Sequence, residues 1–216
     1  MGFVHGADGW RQYTDVTTRE TYPDQVTLDD VRAAADCLTG VAVRTPLLGF
    51  GPFEDEFGAP RVWLKPENLQ PIGAFKIRGA YNALATLSAA ERGRGVVTHS
   101  SGNHAQGVAL AGKRLNVSAT IVMPVTTPGI KVETVRRLGG KAVLQGDSYD
   151  DAYAHAMTLA QEKGLTFIHP FDDPDVIAGQ GTIGMEILRQ RADPIDAVFV
   201  PVGGQTASLK AGSTNR

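Results

Sequence analysis

Gly95-Val96-Val97-Thr98-His99-Ser100-Ser101-Gly102-Asn103-His104-Ala105-Gln106 runs from β-branched residues through a turn of small, hydroxyl-bearing residues into an amphipathic stretch. Valine and threonine branch at Cβ and fit a pleated surface, whereas Ser, Gly and Asn punctuate the chain and open helices. The same unit recurs downstream. Ala119-Thr120-Ile121-Val122-Met123 precedes a helix from about Pro128, Ala142-Val143-Leu144 a helix near 149–163, and Thr166-Phe167-Ile168 a helix near 174–191. Ala197-Val198-Phe199-Val200 closes the series. Strands and helices alternating at these lengths predict right-handed β-α-β units and a parallel sheet covered on both faces, an open α/β fold. Punctuation agrees: Pro128 sits in a first helical turn, Gly139 and Gly164 sit at helix ends, and Pro124 and Pro201 follow strands.

Upstream, Thr27-Leu28-Asp29-Asp30 places a hydroxyl at a helix start with an acid three positions on, and Gly40 is placed to end the segment. This predicts a helix over roughly 28–39. Residues 1 to about 26 are polar and read as an irregular arm. Thr45 to Pro60 reads as a Pro/Gly-rich connection, and Arg61-Val62-Trp63-Leu64-Lys65 as a short strand.

The 216 residues carry 20% charged side chains and a net charge of −2, so no basic field exists for nucleic acid or an anionic membrane. A small-molecule partner is expected. The single cysteine, Cys37, rules out an internal disulfide framework and reads as an apolar core thiol. No uncharged apolar run approaches the ~20 residues of a membrane span, and Met1 to Glu20 contains no apolar leader, so a cytoplasmic protein is expected. His99 and His104 are five apart with no acidic or sulfur cluster around them, and no zinc or other metal site is expected.

Ligands of open parallel sheets sit where strand ends lead into helix N-termini. Ser100-Ser101-Gly102-Asn103-His104 has that setting and suits a carboxylate or phosphate, although each residue taken singly reads as an ordinary cap. Gly203-Gly204, after the run 197–202, suits a phosphate or a plain turn. Gly179-Gln180-Gly181-Thr182-Ile183-Gly184 matches G-x-G-x-x-G, but it follows a helix start and not a strand, so these glycines read as helix packing and a nicotinamide-binding module is disfavoured. Lys76 stands between Phe75 and Ile77 at the start of a helix running to about Leu87. Desolvation and the helix dipole there disfavour its ammonium form, as a Schiff-base amine requires, although most lysines are simply exposed.

Ala74-Phe75-Lys76-Ile77-Arg78-Gly79-Ala80 resembles the lysine signature of fold-type II pyridoxal phosphate (PLP) enzymes, the serine/threonine dehydratase (threonine ammonia-lyase) and serine racemase family. Ser100 to Gln106 resembles that family's asparagine loop. Arg44-Thr45-Pro46-Leu47-Leu48, His169-Pro170-Phe171-Asp172-Asp173-Pro174 and Ile177 to Thr182 are similar to further stretches in the same order, and the resemblance covers about Thr27 to Gly204. It implies a two-lobed, tryptophan synthase β-like fold, with residues 1–88 in the large domain, 89–169 forming the small domain and 170–216 re-entering the large domain. It also implies pyridoxal 5'-phosphate as cofactor. Lys76 would form the internal aldimine and then act as base at Cα, and Phe75 would lie beside the ring. Asn103 would bond the ring hydroxyl, and Gly203 and Gly204 would open the phosphate loop. Ser100, Ser101, Gly102 and His104 would hold the substrate carboxylate.

The activity so implied is dehydration and deamination of L-threonine or L-serine to a 2-oxo acid and ammonia. Ser101 makes a racemase-like activity the alternative, because racemisation needs an acid/base group on the face opposite Lys76, whereas dehydration needs only the lysine face. Family members are commonly dimers, so a homodimer is expected. Ala74 stands where the family often has serine. After Gly204 the resemblance stops, and Gln205 to Arg216 lacks the further glycines and β-α units of the family. The chain therefore reads as truncated, with part of the large domain and most of the phosphate cradle missing, an uncovered sheet edge, and an inactive fragment as a further alternative.

Overall fold

In the computed structural model, residues 2–6, 9–13, 26–57 and 61–200 are described. Two short strands, β1 (Gly2–Gly6) and β2 (Gly9–Tyr13), pair antiparallel with Val4 opposite Arg11 and His5 opposite Trp10. The expectation of an irregular arm is corrected for these residues: Phe3, Val4, Trp10 and Tyr13 are strand formers whose pairing a polar average conceals. Residues 14–25 lie outside the described set.

Helix α1 (Leu28–Cys37) begins as expected, with the Thr27 hydroxyl and Asp30 carboxylate satisfying each other's backbone amides, and Gly40 takes a left-handed φ of 75° beyond its end. Strand β3 (Leu48–Gly49), helix α2 (Gly51–Phe57) and strand β4 (Trp63–Leu64) follow, β3 and β4 pairing antiparallel. The strand expected over 61–65 is thus two residues long. Pro66 ends it, and the Lys65 side chain turns inward to hydrogen-bond the Thr45 carbonyl and Glu186.

Helices α3 (Lys76–Thr86) and α4 (Ala89–Arg94) lead into the central unit. Its order is β5 (Val96–His99), α5 (Asn103–Leu115), β6 (Ala119–Met123), α6 (Gly129–Arg137), β7 (Lys141–Leu144), α7 (Tyr149–Lys163) and β8 (Thr166–Phe167). The four strands form one parallel sheet in the order β7-β6-β5-β8, with Val96 beside Ala119 and Thr166, and Thr120 beside Lys141. Side chains alternate between faces along a strand. Val96, Ala119, Ile121 and Met123 therefore enter one core with α3, α5 and α6, while Val97 and Val122 enter a second with Ala152, Ala156 and Leu159 of α7. Burial on both faces explains why these strands read as continuous apolar runs.

Helix α8 (Pro174–Gln190) packs on α3 and α1. A Cβ on Gly179 would stand 2.6 Å from the Arg78 carbonyl oxygen, one on Gly79 2.6 Å from the Val176 carbonyl oxygen, and one on Gly181 2.8 Å from Val31 Cγ2. Gly179 and Gly181, with Gly79 of α3, are therefore the means by which three helices approach one another, inside a helix as their setting anticipates, whereas a Cβ on Gly184 would meet nothing within 4 Å.

Two further expectations are corrected. Residues 194–200 form no strand and Phe199 is 93% exposed: a parallel strand needs a paired neighbour, and among the described residues none lies beside this segment. Cys37 is half-exposed at the last turn of α1, because the buried face of that helix runs through Val31 and Ala34. Among the described residues no helix is long and apolar enough to cross a membrane.

Candidate active site

Because β5, β6, β7 and β8 run parallel, the segments that follow them share one edge of the sheet: 100–102, 124–128, 145–148 and 168–173. The turn after β5 is held in place from both sides. Its Ser100 amide donates to the Val122 carbonyl at 3.1 Å, and inside it the Gly102 amide donates to Ser100 Oγ at 3.2 Å. Asn103 is the first residue of α5 and is exposed, while Ser100, Ser101 and Gly102 are half-buried. Free amides and the positive end of a 13-residue helix thus open onto this turn. The Ser101 hydroxyl meets Thr127 Oγ1, from the segment after β6, at 3.2 Å.

Lys76 arrives from a different part of the chain. It is the first residue of α3, and α3 lies so close to α5 that a Cβ on Gly107 would stand 3.1 Å from the Lys76 carbonyl oxygen. That contact is one turn into α5 from Asn103. Lys76 is buried, with 9% of its surface exposed, and Nζ donates to the Pro170 carbonyl at 2.8 Å. Nζ also lies 5.4 Å from the centroid of the half-buried Phe75 ring. Burial lowers the pKa of this amine from the ordinary lysine value, because leaving water costs the ammonium form more than the neutral amine.

His104 lies beneath the turn, almost wholly buried, with Nε2 3.4 Å from the Ile168 carbonyl oxygen. Burial, reinforced by the charge of Lys76, pushes its pKa down to about 3. It is neutral at pH 7 and brings no positive charge to the turn. His99, at the end of β5, packs against Tyr149 at 4.4 Å and Tyr153 at 4.9 Å between ring centroids, and stacks on Phe167 at 5.7 Å. Burial and the neighbouring His169 push its pKa down to about 4. Among the described residues no three His, Cys, Asp or Glu side chains converge as metal ligands.

These two histidines set an acid limit on the fold. An unfolded histidine takes its proton near 6.5, whereas the folded His104 does so only near 3, so between those values the unfolded state binds more protons. Stability is full above the unfolded value and is lost as pH falls below it. From pH 7 to pH 5 His104 is expected to remove on the order of 2 kcal/mol, with His99 acting in the same direction. Urea unfolding at the two pH values should show this fall, and His104→Gln should show a smaller one; equal falls would count against His104 as the source.

The structure thus brings Lys76, Phe75, the 100–104 turn and the 168–170 carbonyls to one sheet edge. Gly203 and Gly204 lie outside the described residues. Pro170, Arg78 and Thr127 have no part that the sequence alone assigns. The Pro170 carbonyl is the partner of Lys76 Nζ 94 positions away, which no local pattern signals.

Residues 38–209 match the family described as pyridoxal-phosphate dependent enzyme. The chain belongs to that family. Membership accounts for a desolvated lysine, since pyridoxal phosphate is the cofactor of these enzymes. Within the family, threonine dehydratase 1 biosynthetic, chloroplastic, of Solanum lycopersicum is 57% identical over 164 residues, 76% of this chain and 27% of the relative. The solved processed form of threonine deaminase isoform 2 from the same plant superposes with a TM-score of 0.79 at 48% identity, covering 87% of this chain and 52% of that one. Maize serine racemase superposes with a TM-score of 0.83 at 36% identity, covering 88% of this chain and 58% of that one. The fold is that of a fold-type II pyridoxal-phosphate enzyme, and the chain spans little more than a quarter to just over half the length of these three relatives.

Proposed function

We propose that this chain carries the lysine and substrate-binding part of an ammonia-lyase that converts L-threonine or L-serine to a 2-oxo acid and ammonia. The observation that carries the reading is the buried amine of Lys76, held against the Pro170 carbonyl beside the N-terminus of α5. Kinship with threonine dehydratases supports the substrate class.

Pyridoxal phosphate fits the residues present. A buried lysine that gives up its proton more readily than a free one can hold the aldehyde carbon, Phe75 offers a half-buried ring face, and the exposed Asn103 offers an amide to the ring hydroxyl. Gly203 and Gly204 would open the phosphate cradle. Bound there, pyridoxal phosphate supplies an electron sink for negative charge arising at the substrate Cα.

The remaining work falls to the chain's own side chains. Ser100, Ser101 and the Asn103 amide bind the substrate carboxylate, with Gly102 letting the backbone approach it, where the α5 dipole favours negative charge. His104 supports the turn from below as a neutral ring. Lys76 Nζ, neutral at a lower pH than a free lysine, accepts the proton from the substrate Cα, and loss of the β-hydroxyl follows. The Pro170 carbonyl holds Nζ in place between these duties.

Residues 89–169, which contain α4 and the whole parallel sheet, would form the small lobe; 1–88 and 170–216 would belong to the larger one. The proposal extends to a cytoplasmic protein acting as a homodimer. The test is to purify the chain with pyridoxal phosphate and assay L-threonine and L-serine for equal amounts of 2-oxo acid and ammonia. Stoichiometric release of both is expected. Formation of the D-isomer without 2-oxo acid would instead favour a racemase, the reading to which Ser101 and the likeness to maize serine racemase lend support.

A further inference from the structure

Two hydroxyls stand in the turn after β5, and they have different partners. Ser100 Oγ accepts from the Gly102 amide within its own turn at 3.2 Å. Ser101 Oγ reaches out of the turn and meets Thr127 Oγ1, 26 residues away on the segment after β6. Thr127 is itself rigidly placed. Its amide donates to the Pro124 carbonyl at 3.0 Å, the Val125 amide donates to the Gly146 carbonyl at 2.8 Å, and Pro128 restricts the backbone that follows. Of the two adjacent threonines, Thr126 is exposed and Thr127 is half-buried against the turn.

We infer that Thr127 is a positioning residue for the substrate carboxylate, acting through Ser101. The inference rests on the functional reading above, in which this turn receives the carboxylate. A hydroxyl has one proton to give and two lone pairs to accept with. When Thr127 donates to Ser101, the Ser101 proton is released for the substrate carboxylate, and the chained hydroxyl is polarised into a better donor to an anion. When Ser101 donates to Thr127, its proton is unavailable to the substrate. An arriving carboxylate selects the first arrangement, and the anchored Thr127 makes it available without a search over rotamers. The 3.2 Å separation is long for two hydroxyls, so the pair orients Ser101 more than it holds the two segments together. Its loss should leave the fold intact.

The experiment titrates the pyridoxal-phosphate-loaded chain with L-alanine, which has the amine and carboxylate but no β-hydroxyl to lose, and reads the cofactor absorbance. Ethylamine, which lacks the carboxylate, is the control ligand. Borohydride reduction followed by mass spectrometry first establishes that Lys76 carries the cofactor. Thr127→Val is expected to weaken L-alanine about five-fold, the loss of roughly one hydrogen bond, while ethylamine binding and the Lys76 adduct stay unchanged. Thr127→Ser, which restores a hydroxyl, should recover most of the affinity. Ser101→Ala with Thr127→Val should bind no more weakly than Ser101→Ala alone, because the two side chains act as one unit.

Three results overturn the inference on a loaded chain: unchanged L-alanine affinity in Thr127→Val, additive losses in the double variant, or an equal loss for ethylamine. A native chain with no adduct on Lys76 overturns the functional reading, and the inference falls with it.

Discussion

Lys76→Ala is expected to leave a folded chain that neither retains pyridoxal phosphate covalently nor releases 2-oxo acid above background, a loss of at least about 10³-fold. Two duties rest on the same nitrogen, so no other lysine substitutes for it. Burial lowers the Lys76 pKa, which means that at neutral pH the folded state resists a proton that the unfolded state takes up freely. Below the unfolded value this costs stability. Alanine removes that cost along with the packing of the lysine stem, so the melting temperature should change little, and a large drop in activity cannot be attributed to unfolding. The pH dependence carries a second signature: covalent capture of the cofactor, followed by borohydride trapping, should persist to lower pH than it does for an unburied lysine. The check is peptide mapping of the reduced native and Lys76→Ala chains. A stoichiometric adduct on a different lysine, or 2-oxo acid release that survives the substitution, would remove Lys76 from the mechanism.

The parallel sheet was legible because its strands are buried on both faces and its helices begin with local signals. Ser148 and Asp151 form a capping box that starts α7, Gly164 ends it in the left-handed region, and the helix expected near 149–163 spans those residues. Elements whose existence depends on a distant partner were not legible. The run 197–200 is apolar enough for a strand, but pairing decides, and no described strand lies beside it. The same holds at the site. Ser100 to Asn103 and Lys76 announce themselves through residue type and neighbours. Thr127, Pro170 and Arg78 act through contacts spanning 26, 94 and 108 positions, and such contacts leave no trace in local spacing.

Arg78→Met is expected to be the most damaging single change to stability, costing about 3–5 kcal/mol by urea unfolding. Arg78 lies on α3 two residues after Lys76, and its side chain is 1% exposed. It donates to Glu67 through Nε and Nη2 at 2.8 and 2.9 Å, to Glu186 through Nη1 and Nη2 at 2.7 and 3.1 Å, and also to Thr182 and to the Val43 carbonyl. Lys65 completes the group with a 2.6 Å bond to Glu186. Desolvation would lower the guanidinium pKa, but the bonds to Glu67 and Glu186 outweigh it and leave the pKa raised, so the group is a fixed cation joining the 43–45 and 65–70 segments, α3 and α8. Methionine fills the volume but leaves Glu67 facing inward with no cation and Glu186 with only Lys65. Arg78→Lys keeps the charge but cannot span both carboxylates in a planar fork, so it should recover only part of the loss. Replacing Arg78, Glu67 and Glu186 together by apolar residues should cost less than Arg78→Met alone, because the penalty comes from stranded charge and not from absent attraction. The network also holds the first turn of α3 against α8, so any Arg78 variant that folds should lose affinity for the cofactor as the Lys76 amine shifts. An Arg78→Met chain within about 1 kcal/mol of the native stability would show that the two carboxylates find water or a proton instead, and that α3 is held by its glycine contacts alone.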